Sequence, residues 1–127
     1  WRSAAENPFM TTAERAAAGS LPDLPVRRPG APGQFAFADA QRVRGLLQTA
    51  GWSEVEVRRL DVPLSMAEAA LLPYLSRLGP VGLALQQLEE GARTALAARL
   101  REAFEPFVRG DRVEFVAACW QIDAVRR

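Results

Sequence analysis

Histidine and lysine are both missing from this 127-residue sequence, and cysteine occurs once, at Cys119. Each absence removes a class of chemistry. Without histidine there is no Ser-His-Asp triad, and a Cys/His zinc site lacks its ligands. Without lysine neither a P-loop nor a Schiff-base nucleophile can be built. A single thiol excludes a disulfide within the chain. An excess of charge of one sign is lacking too: 16 basic residues, every one arginine, stand against 15 acidic ones for a formal net charge of +1. No large field results, so charge does not point to nucleic acid. No apolar run approaches the roughly 20 residues of a membrane span, and no basic-then-apolar signal segment opens the chain. The expectation is a cytoplasmic protein without membrane association or a metal site.

What is present is 49% hydrophobic and 24% charged residues, enough for one core and too few residues for a second full domain. Residues 1–38 read as loop with one short helix. Asn7-Pro8 disfavours helix at Asn7, and Thr11-x-x-Glu14 has capping-box spacing for a helix ending at Gly19. Six Pro and Gly residues between Pro22 and Gly33 then preclude regular structure. Residues 39–64 read as helix and strand. Asp39 is a good N-cap, Val43, Leu46, Leu47 and Ala50 share a face, and Gly51 stops the helix. Val55 and Val57 alternate with charged residues as in a strand, and the phase change after Arg58-Arg59 predicts a bulge or an end there.

Residues 65–109 read as helices. Ser65-x-x-Glu68 has capping-box spacing, Leu71, Leu72, Leu75 and Leu78 form a stripe, Pro73 predicts a kink, and Pro80 suits a new helix start. From Ala92 to Phe107, Leu96, Leu100, Ala103, Phe104 and Phe107 share a face, with Glu89–Arg93 and Arg101–Glu105 as i,i+4 charge pairs. Residues 110–127 read as a final strand after the Gly110-Asp111 turn. Apolar residues lie on both of its sides, Val113, Phe115 and Ala117 on one and Val116, Ala118, Trp120 and Ile122 on the other. That pattern predicts a strand covered on both faces and paired antiparallel with the one around Val55.

Several of these segments together resemble the C-terminal half of class I S-adenosylmethionine-dependent methyltransferases, in particular the ubiquinone-biosynthesis-like group. The residues that carry the likeness are Trp1 followed by Asn7-Pro8-Phe9, then Pro32-Gly33-Gln34-Phe35-Ala36-Phe37-Ala38-Asp39, the helix end Ala50-Gly51-Trp52, and Ala117-Ala118-Cys119-Trp120. Their order and spacing extend over nearly the whole chain. The resemblance implies an α/β chain, α+β when taken alone: the C-terminal part of a Rossmann-like methyltransferase fold, with two or three strands and a helical cap insertion. It implies that the last strand runs antiparallel between the fifth and sixth strands of the family, and that Trp1 follows the fifth. The family's acidic-x-Gly-x-Gly cofactor loop has no counterpart, since no two glycines here are separated by one residue. S-adenosylmethionine would thus serve the intact parent, and this chain alone is expected to bind no cofactor.

On this resemblance the loops carrying Trp1, Phe9, Phe35 and Phe37 border an acceptor pocket, and Tyr74, beside Pro73, is a further candidate; Asn7 either caps a turn or meets substrate. No catalytic residue is assigned. Arg27 and Arg28 have the wrong charge to accept from ribose hydroxyls, Asp39 reads as a cap, and Cys119 reads as a buried small residue. The expected function is the substrate-side portion of a methyltransferase acting on a small or medium organic acceptor. The alternative is a non-catalytic binding or assembly module for a partner protein or apolar ligand. An exposed strand edge implies a homodimer or association with the missing N-terminal half.

Overall fold

In a computed structural model that describes residues 1–126, the chain is mixed α/β: five α-helices and a three-stranded antiparallel sheet in the order β1-β3-β2. The elements are α1 (Pro8–Ala17), α2 (Ala40–Thr49), β1 (Trp52–Ala67), α3 (Leu71–Arg77), α4 (Gly79–Gln87), α5 (Glu90–Ala103), β2 (Val108–Arg109) and β3 (Arg112–Arg126). The contacts along the two long strands run in opposite order. Ser53, near the start of β1, donates to the carbonyl of Val125, Arg58 meets Asp123, and Ser65 near its end meets Arg112. β2 joins through a hairpin with Val108 opposite Val113 and Arg109 opposite Arg112, and Gly110 supplies the left-handed φ of 62° at the first turn position.

Two compact units divide the chain, and β1 and β3 continue from one to the other. The first comprises Trp1–Asn7, Arg27–Pro63 and Val116–Arg127. Here Asp39 caps α2 as its residue type predicts, its Oδ1 accepting from the N–H of Gln41 at 2.8 Å and of Arg42 at 3.2 Å. Gly51, at φ 88°, ends the helix and turns the chain into β1. Val43, Ala117 and Ala118 are the buried apolar residues of this unit.

The second unit, Pro8–Val26 with Leu64–Phe115, holds the larger core. Leu71, Leu75, Val81, Leu85, Leu96 and Leu100 are buried with an aromatic group centred on Phe9. The ring of Phe9 stacks on Phe115 with centroids 3.8 Å apart and takes Phe104 and Phe107 edge-on at 5.0 and 5.3 Å. Edge-to-face pairs of this kind contribute about 0.5–1.5 kcal/mol each beyond the burial of their area.

The structure corrects several expectations. α1 begins at Pro8, not after Thr11, because proline suits the first helical turn; the hydroxyls of Thr11 and Thr12 donate back to the Pro8 carbonyl. The N-terminal capping box is instead Ser3 with Glu6, which closes a short 3-10 turn over Ala4–Glu6. Ser65 caps nothing: β1 runs on to Ala67, and the Ser65 hydroxyl accepts from Arg112. Nor does β1 end at Arg58-Arg59; its half-buried positions shift from 53, 55 and 57 to 62 and 66.

In the helical segment, Pro73 lies in the first turn of α3, where no carbonyl awaits its missing N–H, so α3 has no internal position for it to kink. Arg93 forms no pair with Glu89 and donates to the carbonyls of Leu85 and Leu88, whereas the Arg101–Glu105 pair is present. β3 is covered on both faces only at Ala117 and Ala118. Val116 is 53% exposed and Ile122 39%, so the strand is covered near its middle and open toward its end, where Gln121, Ile122 and Asp123 are exposed in succession.

Candidate functional site

The N-terminal segment is tied to β3 through the amide of Asn7. In a two-residue hairpin the N–H and C=O of Arg112 face β2, and by the period of two those of Ala118 face the same edge. β2 reaches only Val113 from that side, and at Ala118 a side chain replaces a strand. Asn7 Oδ1 accepts from the N–H of Ala118 at 2.8 Å, and its Nδ2 donates to the Ala118 carbonyl at 3.0 Å. The second Nδ2 proton goes to the Ser3 carbonyl, and the backbone N–H of Arg2 adds a 2.8 Å bond to the Ala118 carbonyl. The Arg2 guanidinium, 7% exposed, pairs with Glu6 and Asp61 and lies over the Trp120 ring, whose N–H donates to the carbonyl of Ala38.

These anchors hold two loops against a cavity of about 470 Å³, within the range usual for small-molecule sites. One wall is Ser3, Ala4 and Ala5; the other is the Arg27–Ala36 loop, and the N-terminus of α2 closes it with Asp39 and Arg42. The surface is chiefly alanine and proline with the half-buried ring of Phe35. Around it stand three guanidinium groups. Arg27 lies 5.0 Å from the Phe35 centroid, and Arg42 donates to the Gly30 carbonyl at 3.3 Å. The Arg28 side chain has no hydrogen-bond or ion-pair partner among the described residues. Gly30 has φ 72°, so the loop path favours glycine, and a β-carbon there would come within 2.7 Å of the Arg42 guanidinium and displace that flexible group.

A second hollow of about 590 Å³ lies in the helical unit, lined by Leu72, Pro73, Leu75, Leu85 and Leu100. Of its polar neighbours, Gln86 donates to the Ser76 carbonyl and Arg93 to those of Leu85 and Leu88, while the Arg77 side chain has no partner among the described residues.

Of the residues singled out from sequence, Phe35 lines the first cavity, while Trp1, Asn7 and the 54%-exposed Phe37 do not. Asn7 has all three of its amide bonds taken up by the fold. Phe9 is 3% exposed and Tyr74 lies 6.3 Å from it, both in the other unit. Sequence reasoning missed Ser3–Ala5 and Arg42 as lining. The Ser3-x-x-Glu6 spacing was the available signal for the first, and the position of Arg42 three residues after its N-cap, Asp39, for the second.

The residues present do not fit S-adenosylmethionine. A sulfonium cation with a ribose diol needs acidic acceptors, and the single carboxylate lining this cavity, Asp39, gives its Oδ1 to two backbone N–H groups and is outnumbered in the lining by three arginines, which disfavour a cation. The Gly30 carbonyl is likewise taken by Arg42. No group of three or more potential metal ligands occurs among the described residues, and no helix there is long and apolar enough to cross a membrane. Comparison with protein-family models, with curated proteins and with solved structures finds no match to this chain.

Proposed function

We propose that this chain forms the acceptor-binding side of a class I S-adenosylmethionine-dependent methyltransferase acting on a small or medium organic molecule. One observation carries the reading. The last strand, β3, runs antiparallel to β1 and presents its opposite edge, at Ala118, to the segment directly following Trp1. The resemblance calls for that arrangement, with the final strand between the sixth strand and the end of the fifth. The cavity opens beside that segment, where an acceptor would sit at the carboxyl end of the fifth strand. The chain's contribution is then positioning and exclusion of water: an apolar lining that holds the acceptor in one orientation, with no general base drawn from these residues.

The cofactor, in this reading, is held by residues outside this chain. The poor fit of the cavity to it also favours the second reading, a binding module without catalysis. Expression of the complete open reading frame that encodes this chain separates the two. The methyltransferase reading expects an acidic-x-Gly-x-Gly segment after a strand, and transfer of labelled methyl from S-adenosylmethionine to members of a panel of aromatic and aliphatic acceptors. A complete frame without such a segment, or a complete protein that transfers nothing while binding panel members, overturns it in favour of the module.

A further inference from the structure

We infer that the cavity of the first unit takes an organic anion: a molecule with a flat apolar body and a carboxylate, the body against Phe35 and the carboxylate among Arg27, Arg28 and Arg42. The inference deepens the acceptor-side reading and rests on it for the ligand's role as acceptor, while the binding preference stands on geometry alone.

The charge balance is the first argument. The ionisable side chains around the cavity are Arg27, Arg28, Arg42 and Asp39, an excess of two positive charges. The negative member gives one of its oxygens, Oδ1, to the N–H groups of Gln41 and Arg42. Arginine guanidinium offers a planar fork that matches a carboxylate through two parallel bonds, and Arg28 has its donors uncommitted among the described residues. Arg42 reinforces the site, because its guanidinium meets the Gly30 carbonyl and its backbone is the first turn of α2, whose amide end favours negative charge.

The second argument is the wall. A neutral polar ligand would find few side-chain acceptors, since besides Ser3 and Gln34 the rest of the surface is alanine, proline and glycine with one aromatic ring. Arg27 lies over Phe35 at 5.0 Å, too close to admit a ring between them, so a flat π-system stacks on the outer side of the guanidinium or against the ring edge. A wholly apolar ligand would leave the uncommitted Arg28 guanidinium at its wall unused. A carboxylate on an aromatic or conjugated body uses both features.

Calorimetric titration of the full chain with cinnamate and with its neutral isostere cinnamamide tests this. Cinnamate is expected to bind about tenfold tighter, the effect of one charge-assisted fork, with the difference shrinking at high salt. In Arg28→Gln the preference should fall below about threefold, while Arg77→Gln, in the other unit, leaves it intact. Phe35→Leu should weaken both probes alike and keep their ratio. Equal affinities, no saturation by either probe at millimolar concentration, or a preference unchanged in a folded Arg28→Gln protein each overturn the inference. S-adenosylmethionine in the same cell is the separate arm: saturable micromolar binding to this chain sinks the acceptor-side reading whatever the carboxylate preference is. Loss of the carboxylate preference alone leaves that reading standing.

Discussion

At the scale of single residues, Asn7 and Glu6 show how much the first unit rests on a few polar side chains. Asn7 is 1% exposed, and its orientation is fixed by chemistry, since the reversed amide would set its oxygen against two carbonyls. Asn7→Ala leaves the Ala118 N–H buried without its acceptor, although the Ala118 carbonyl keeps the bond from Arg2. We expect a loss of about 2 to 3 kcal/mol, read as a lower urea midpoint at unchanged slope. The Glu6 carboxylate is held below the ordinary glutamate range, first by the hydroxyl of Ser3, then by the Ser3 N–H and the charges of Arg2 and Arg59, against partial burial. Its folded pKa is depressed, so its stabilisation is complete above the unfolded value of about 4.3 and drains away as pH falls through the lower folded value. The stability gap between wild type and Glu6→Gln should therefore be present at pH 7 and narrow as the pH falls through the depressed folded value. A gap independent of pH would refute the assignment.

At the scale of elements, two helical glycines of identical local character have opposite meanings. Gly45 lies inside α2 with nothing within 4 Å of where a β-carbon would stand. Gly45→Ala gains helix propensity and should raise stability by up to about 1 kcal/mol. Gly82 lies inside α4, and a β-carbon there would meet the Leu75 carbonyl oxygen at 2.9 Å, at the close approach of α3 and α4. Gly82→Ala should cost about 1 to 3 kcal/mol as the helices are pushed apart. Thermal melts of the two variants shifted in the same direction would sink this account. The sequence shows a glycine in a helical stretch in each case and nothing of what stands opposite it.

At the scale of the whole molecule, the open edge of β3 is the feature with the widest consequence. From Val116 onward no strand pairs with the edge facing away from β1 among the described residues, and Asn7 and Arg2 satisfy it at Ala118 alone. Val116, Ile122 and Val125 are exposed along the same stretch. Such an edge templates pairing with another chain. The isolated chain should self-associate over the micromolar range in sedimentation velocity, and Ile122→Lys should shift it toward monomer. A monomer at every concentration would show that the edge needs no partner.

The sequence by itself determined the elements whose signals are local. Asp39 as a cap, Gly51 and Gly110 as reversals, Pro80 opening a helix, and the buried stripe Leu96, Leu100 and Phe104 are legible because each depends on the backbone chemistry of neighbouring residues or on the helical period. The misread segments were those where two local signals competed and distant contacts decided. Thr11 and Ser65 had capping spacing, but Pro8 began one helix earlier, and Arg112 drew Ser65 into the sheet. The apolar pattern of β3 announced two covered faces, while the supply of covering elements left Val116 and Ile122 exposed. Of the candidate site, Phe35 was legible as an aromatic in a loop. That Asn7 would substitute for a strand at Ala118, 111 residues away along the chain, and that Ser3–Ala5 would meet Arg28 and Arg42 around one cavity, only the tertiary structure decided. These contacts depend on where loops are carried by the sheet and not on any period or motif within them.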